Sequence, residues 1–189
     1  MNVLQMTAIA LAWLPPAAPA EAHITPTVEL VPVAEAVRKL LPGATQFYLR
    51  EVQLSKRQVA ELDSVVSWVP EEKEVKFYLG REAGRDVGSV EWLKVDSRHG
   101  PLALAVRFEP DGELGKVVVT HATEETVTWV KQIVDAGLPD RFPGKTMANL
   151  DTALQSVQGN AGRMARYMGE VITRGVARAL ALRQLAFEG

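Results

Sequence analysis

Four short runs rich in β-branched and aromatic residues follow one another closely: EVKFYLG (74–80), GSVEWLKVD (88–96), PLALAVRFE (101–109) and KVVVTH (116–121). Gly, Pro or Asp bounds each run, and EPDGELG between the last two is a hairpin-turn sequence. No other feature constrains the chain as much. It predicts a small antiparallel sheet of about four strands between residues 74 and 121.

Helical patterns flank that region. VAEAVRKLL places Val33, Val37, Leu40 and Leu41 at helical spacing, and LPG at 41–43 stops it. SKRQVAELDSVVSWV opens with Ser55 and Gln58 in capping-box positions, with Val59, Leu62, Val66 and Val69 on one face. TEETVTWVKQIVDAG reads as a third helix, with Thr123 as its N-cap and Gly137 as its stop, and LPDRFPGKTMANLD reads as a loop. A long helix is predicted from about Gly162 to Phe187. Its buried stripe is Met164, Met168, Val171, Ile172, Gly175, Ala179 and Leu182, with Arg163, Arg166, Arg174, Arg178 and Arg183 largely off it. The fold class is therefore α+β: a small antiparallel sheet packed with N-terminal helices and a long C-terminal helix.

At 189 residues, one domain with one sizeable core is expected, over about 23–189. The net charge of −2 argues against an electrostatic nucleic-acid binder. The absence of cysteine excludes disulfides, thiolate metal sites and a cysteine nucleophile. VLQMTAIALAWL is uncharged and is followed by PPAAPAEA, where Ala18 and Ala20 offer a cleavage point. Residues 1–22 are thus expected to be a signal peptide, or else an apolar arm able to touch a membrane, and the body is expected to be periplasmic or otherwise extracytoplasmic.

The sequence offers little to classical catalysis. His23, His99 and His121 have no second ligand-type residue at metal spacing, and there is no nucleophile elbow, P-loop or dinucleotide fingerprint. Glu124 and Glu125 stand at a predicted helix start, where carboxylates are favoured by the dipole. Trp68, Trp92 and Trp129 read first as core residues, and second as a wall for a flat aromatic ligand. Arg163 and Arg166 lie in the first turn after GNAG, where free amides and two guanidiniums would suit a phosphate.

Taken in order, LPGATQFYLREVQLSKRQVAEL, VGSVEWLKVDSRHGPLALAVRFEPDGELGKVVV, ATEET, LPDRFPGKT and the final glycine turn with its helix resemble the bacterial FMN-binding domain. That domain occurs in the G subunit of the Rnf electron-transport complex and the C subunit of the sodium-pumping NADH:quinone reductase. The resemblance covers about residues 40–183 and rests on the order of several short motifs. It implies an extracytoplasmic electron-transfer role, with a membrane redox complex or other electron-transfer protein as partner.

Cofactor contacts implied by the resemblance are His99, Gly100, Glu125, Thr126, Lys145, Gly162, Arg163 and Arg166. In covalent members an S/T-G-A-T element carries a threonine esterified to the flavin phosphate. Here Ala161-Gly162-Arg163-Met164 aligns with it, so Met164 stands in place of that threonine, and no Ser or Thr occurs from 157 to 172. Two readings stay open: FMN held non-covalently, or a domain without flavin that serves as an accessory or docking subunit.

Overall fold

The structure is a computed structural model that describes residues 25–187. The expected export segment at 1–22 lies outside the described residues. Six strands form one antiparallel sheet: β1 (Thr27–Glu29), β2 (Gln46–Gln53), β3 (Glu74–Glu82), β4 (Arg85–Val95), β5 (Leu102–Phe108) and β6 (Leu114–Thr123), in the order β1-β6-β5-β4-β3-β2. The four predicted strands are the middle of this sheet, and β1 and β2 are the corrections at its edges. Each connection from β3 to β6 is too short for a parallel crossover, so antiparallel neighbours are the only solution.

β2 escaped the sequence pattern because its burial does not alternate: seven of its eight residues are exposed. It is held by ladder pairs from Gln46↔Arg81 to Gln53↔Glu74. Three-residue β1 is too short to show a period, and is set by its pairing with the end of β6.

One face of the sheet carries the main core. Phe77, Leu93, Val95, Leu104, Val106 and Phe108 meet Met168, Val171, Ile172, Val176 and Leu182 of helix α5 (Arg163–Phe187), with helix α3 (Val127–Asp135) beside it. Burying each such side chain contributes about 1.5–3 kcal/mol. The other face is covered by helix α1 (Val33–Leu40), whose Ala36, Val37 and Leu40 pack on Val90 and Ala105. At Gly175, α5 lies so close to the sheet that a Cβ would come 2.6 Å from both Leu104 Cδ1 and Val95 Cγ2.

Helix α2 (Lys56–Val66) has the expected capping box: the Gln58 N–H donates to Ser55 Oγ at 3.3 Å and the Ser55 N–H to Gln58 Oε1 at 2.9 Å. It ends before Val69, which is exposed, because Ser67 takes a left-handed conformation. The predicted loop after Gly137 contains a 3₁₀ turn at Leu138–Arg141, and a short helix α4 (Asp151–Gln155) follows it. Arg178, expected off the buried stripe, is only 9% exposed and sets its guanidinium over the Trp68 ring at 4.9 Å. An indole face lets that arginine stay inside the fold.

Candidate functional site

The β4–β5 loop, the β6–α3 junction and the first turns of α5 meet at one end of the sheet. Ser97 shapes the loop: its hydroxyl donates to Gly100 O at 2.7 Å and accepts from the His99 N–H at 3.1 Å. Gly100 has φ +94°, and a Cβ there would stand 2.4 Å from the Thr123 methyl. Only glycine fits that close approach.

Thr123 was expected to cap α3. Its hydroxyl instead donates to His99 O at 2.8 Å and shares a 2.9 Å hydrogen bond with the Thr126 hydroxyl. Thr126 becomes the residue before the helix, fully buried, and its one hydroxyl hydrogen is placed between Thr123 Oγ1 and, at 3.1 Å, Thr123 O. Tying the loop to the end of β6 outweighs capping here, because the bond also satisfies a loop carbonyl.

These bonds aim the His99 ring at three neighbours. Nδ1 lies 2.9 Å from Glu125 Oε1, and the ring meets Trp129 and Tyr167 edge-on at centroid distances of 5.2 and 5.8 Å. The Tyr167 hydroxyl accepts from the Arg98 N–H at 2.9 Å, which ties α5 to the same loop. Both members of the His99–Glu125 pair are partly solvated, at 30% and 47% side-chain exposure, so the pair contributes at most about 1 kcal/mol.

Gly162 precedes α5 and lies against Gln132 of α3. The Arg166 N–H donates to Gly162 O at 2.9 Å, so the amides of Arg163, Met164 and Ala165 begin the helix without an intrahelical partner. Arg163 and Arg166 are exposed, and neither makes an ion pair or side-chain hydrogen bond with a described residue. Arg163 stands one helical turn from Tyr167, about 6 Å along the axis. Met164 is half-buried.

Seven of the eight expected contacts thus gather at this end: His99, Gly100, Glu125, Thr126, Gly162, Arg163 and Arg166. Lys145 does not. Its loop is fastened at the opposite end of β6, where the Gly144 N–H donates to Leu114 O at 2.7 Å. Nine strand steps separate Leu114 from Thr123, about 30 Å. Tyr167 and Ser97, which the sequence did not single out, complete the cluster. Tyr167 was legible only as a helix residue one turn beyond Arg163.

A second feature lies elsewhere. Glu91 of β4 is 1% exposed, its Oε2 has no hydrogen-bond partner among the described residues, and burial pushes its carboxyl well above the usual carboxylate range. Glu91 is among the residues that line a cleft, with Trp68 and Trp92. Strand alternation carried the clue, since Glu91 falls on the same face as Leu93 and Val95. Among the described residues no group of three or more His, Asp or Glu side chains could hold a metal ion, and no helix is long and apolar enough to cross a membrane.

No protein-family model, curated protein or solved structure matches this chain.

Proposed function

We propose that the chain is a non-catalytic, degenerate FMN-binding-type domain that acts as an accessory or docking subunit of an extracytoplasmic, membrane-associated electron-transfer assembly. One observation carries the choice of docking over cofactor binding: the residues on the expected flavin side are packed on one another. The His99 ring is taken up by Glu125, Trp129 and Tyr167, and the space beside Gly100 by the Thr123 methyl. Backbone that a ligand would approach is already approached by side chains. The missing hydroxyl at Met164 agrees with this.

β2 supports a docking role independently. It is an edge strand, and Phe47, Tyr48 and Leu49 stand 43%, 44% and 50% exposed in succession. Edges of this kind are normally blunted, or paired with another chain. The test is to recover the tagged full chain from gently solubilised membranes. Co-purification with a redox complex, weakened by Leu49→Lys, supports the reading; a chain that runs alone as a monomer counts against it.

The second reading, FMN held non-covalently, is favoured by two arginines, Arg163 and Arg166, that pair with no described residue and stand beside the open amides of α5. The residues at that end fit a phosphate: Arg163 and Arg166 would hold it by charge-assisted hydrogen bonds with the first-turn amides. They leave the ring less room, because Trp129 and Tyr167 already flank His99. A bound flavin would supply the electron chemistry, and the chain would supply only orientation and field. An absorption spectrum of the natively purified protein, repeated on the supernatant after acid precipitation, decides it. Flavin bands that move to the supernatant support non-covalent FMN, and loss of that flavin in Arg163→Glu/Arg166→Glu would locate it. A colourless protein that takes up no added FMN at micromolar concentration removes this reading.

A further inference from the structure

β3 and β4 pair only from Phe77↔Glu91 to Glu82↔Arg85. Beyond Phe77, residues 74–76 of β3 stay with β2, through Val52↔Val75 and Gln53↔Glu74. Residues 92–95 of β4 stay with β5, through Trp92↔Ala105 to Val95↔Leu102. No ladder pair joins the two half-strands, and the sheet opens there as a wedge. The wedge is a cleft of about 380 Å³, bordered by Trp68, Tyr78, Trp92 and Leu182, with Glu91 at its apex where pairing stops. That volume lies within the range of small-molecule sites.

Three properties of the cleft select its ligand. Its inner end presents a buried carboxyl with one oxygen unpartnered by any described residue. Its walls include two indoles and a phenol, which offer apolar surface to a flat ligand body. Its rim is acidic: Glu71, Glu72, Glu74 and Asp96 line it, and of the two lysines there Lys76 is occupied by Glu74 and Glu51 at 2.8 and 3.3 Å. Lys94 leans over Trp92, with Nζ 6.0 Å from the ring centroid. Arg178 lies on Trp68. Along the lining the four carboxylates Glu71, Glu72, Glu74 and Asp96 outnumber Lys76 and Lys94, so the field at the mouth favours a cation over an anion.

We propose that the cleft between β3 and β4 binds an organic cation, an amine carried on a flat apolar body, with the ammonium on the Glu91 carboxylate and the body against Trp68 and Trp92. The cleft reaches Asp96, at the start of the β4–β5 loop that carries His99, but Glu91, Trp68 and Trp92 belong to the cleft and not to the His99 cluster. When the cleft is empty, burial raises the Glu91 pKa and so favours the protonated carboxyl. Binding an ammonium transfers that carboxyl proton to the buffer and forms a charge-assisted N–H···O bond in its place.

Tryptamine, indole and indole-3-acetate share one ring and differ in charge, and titrating each into the full chain by calorimetry tests the assignment. Tryptamine is expected to bind about tenfold or more tighter than indole-3-acetate. It is expected to release close to one proton, read from the dependence of the heat on buffer ionisation. Glu91→Gln should bring tryptamine to the level of indole and abolish the proton release. Backbone and indole N–H shifts in nitrogen-15 spectra of the unmutated protein should centre on Trp68 and Trp92, a measurement that does not depend on the variant folding. Equal affinity for the three probes, no binding at millimolar concentration, shifts centred elsewhere, or a Glu91→Gln protein that binds tryptamine unchanged would each overturn the proposal.

Discussion

Glu91 makes the stability of the fold depend on pH in a way that can be calculated. Burial raises its folded-state pKa well above 4.5, so the folded protein keeps a proton that the unfolded chain gives up as pH rises past that value. Unfolding then releases a proton, and stability falls with pH by about 1.4 kcal/mol per unit until the folded carboxyl itself ionises. Below pH 4.5 both states hold the proton, and the contribution is flat. In Glu91→Gln the slope is absent. The amide brings its own cost, about 1–3 kcal/mol for N–H groups left without partners, but that cost does not change with pH. The difference in slope between the two proteins is therefore the readout, because every other titrating group cancels in it. Urea unfolding followed by circular dichroism at about pH 5 and pH 6 should show the unmutated protein losing up to about 1.2 kcal/mol more than the variant, equivalent to roughly 2–5 °C in Tm. Parallel lines for the two proteins, or a variant that loses more stability on raising the pH, would refute a neutral buried Glu91.

Three further substitutions test the packing that positions the two sites. Gly100→Ala puts a Cβ 2.4 Å from the Thr123 methyl at φ +94° and should cost about 3 kcal/mol, from strain plus overpacking; a Tm within a degree of the parent would show that the loop is not seated on Thr123. Gly175→Ala, facing Leu104 and Val95 at 2.6 Å, should cost about 1–3 kcal/mol by lifting α5 from the sheet, and thermal melting that finds no loss would contradict the close approach. Thr126→Val keeps the volume but removes the one hydroxyl that Thr126 donates to Thr123, with an expected loss of about 1–2 kcal/mol in urea denaturation; a neutral result would mean that the threonine pair does not hold the β6–α3 junction.

The middle of the sheet was legible because β3 to β6 follow in sequence and carry β-branched residues between turn residues. The edges were not, for opposite reasons. β2 exposes both faces, so no alternation marks it, and β1 exists only because β6 offers it a partner. Residues of the candidate site were legible where the chain brings them close through neighbouring elements, as with His99, Glu125 and Thr126. Lys145 was misplaced because proximity in a motif order says nothing about which end of a strand a loop reaches. Arg178 illustrates a limit of helical periodicity: α5 is buried on most of its circumference, and an indole, not the period, decides which arginine goes inside.

The same logic explains why the cleft exists where it does. An unbroken antiparallel ladder from β2 to β6 would place Glu91 in a closed, apolar layer beside Phe77 and Val106, where a carboxyl has no partner and a large desolvation cost. Each half-strand has a stronger attachment on its outer side. Residues 74–76 are tied to β2 by backbone pairing and by Lys76 bridging Glu74 and Glu51, while residues 92–95 are tied to β5 by four consecutive pairs. The twist of the sheet then separates them, and the segment through Trp68 and Pro70 covers the gap without filling it. A carboxyl at the last paired position is thereby left facing a cavity instead of a hydrocarbon wall. Closing the wedge would demand that Glu91 be lost; keeping Glu91 demands that the wedge stay open, which is the condition a ligand site there requires.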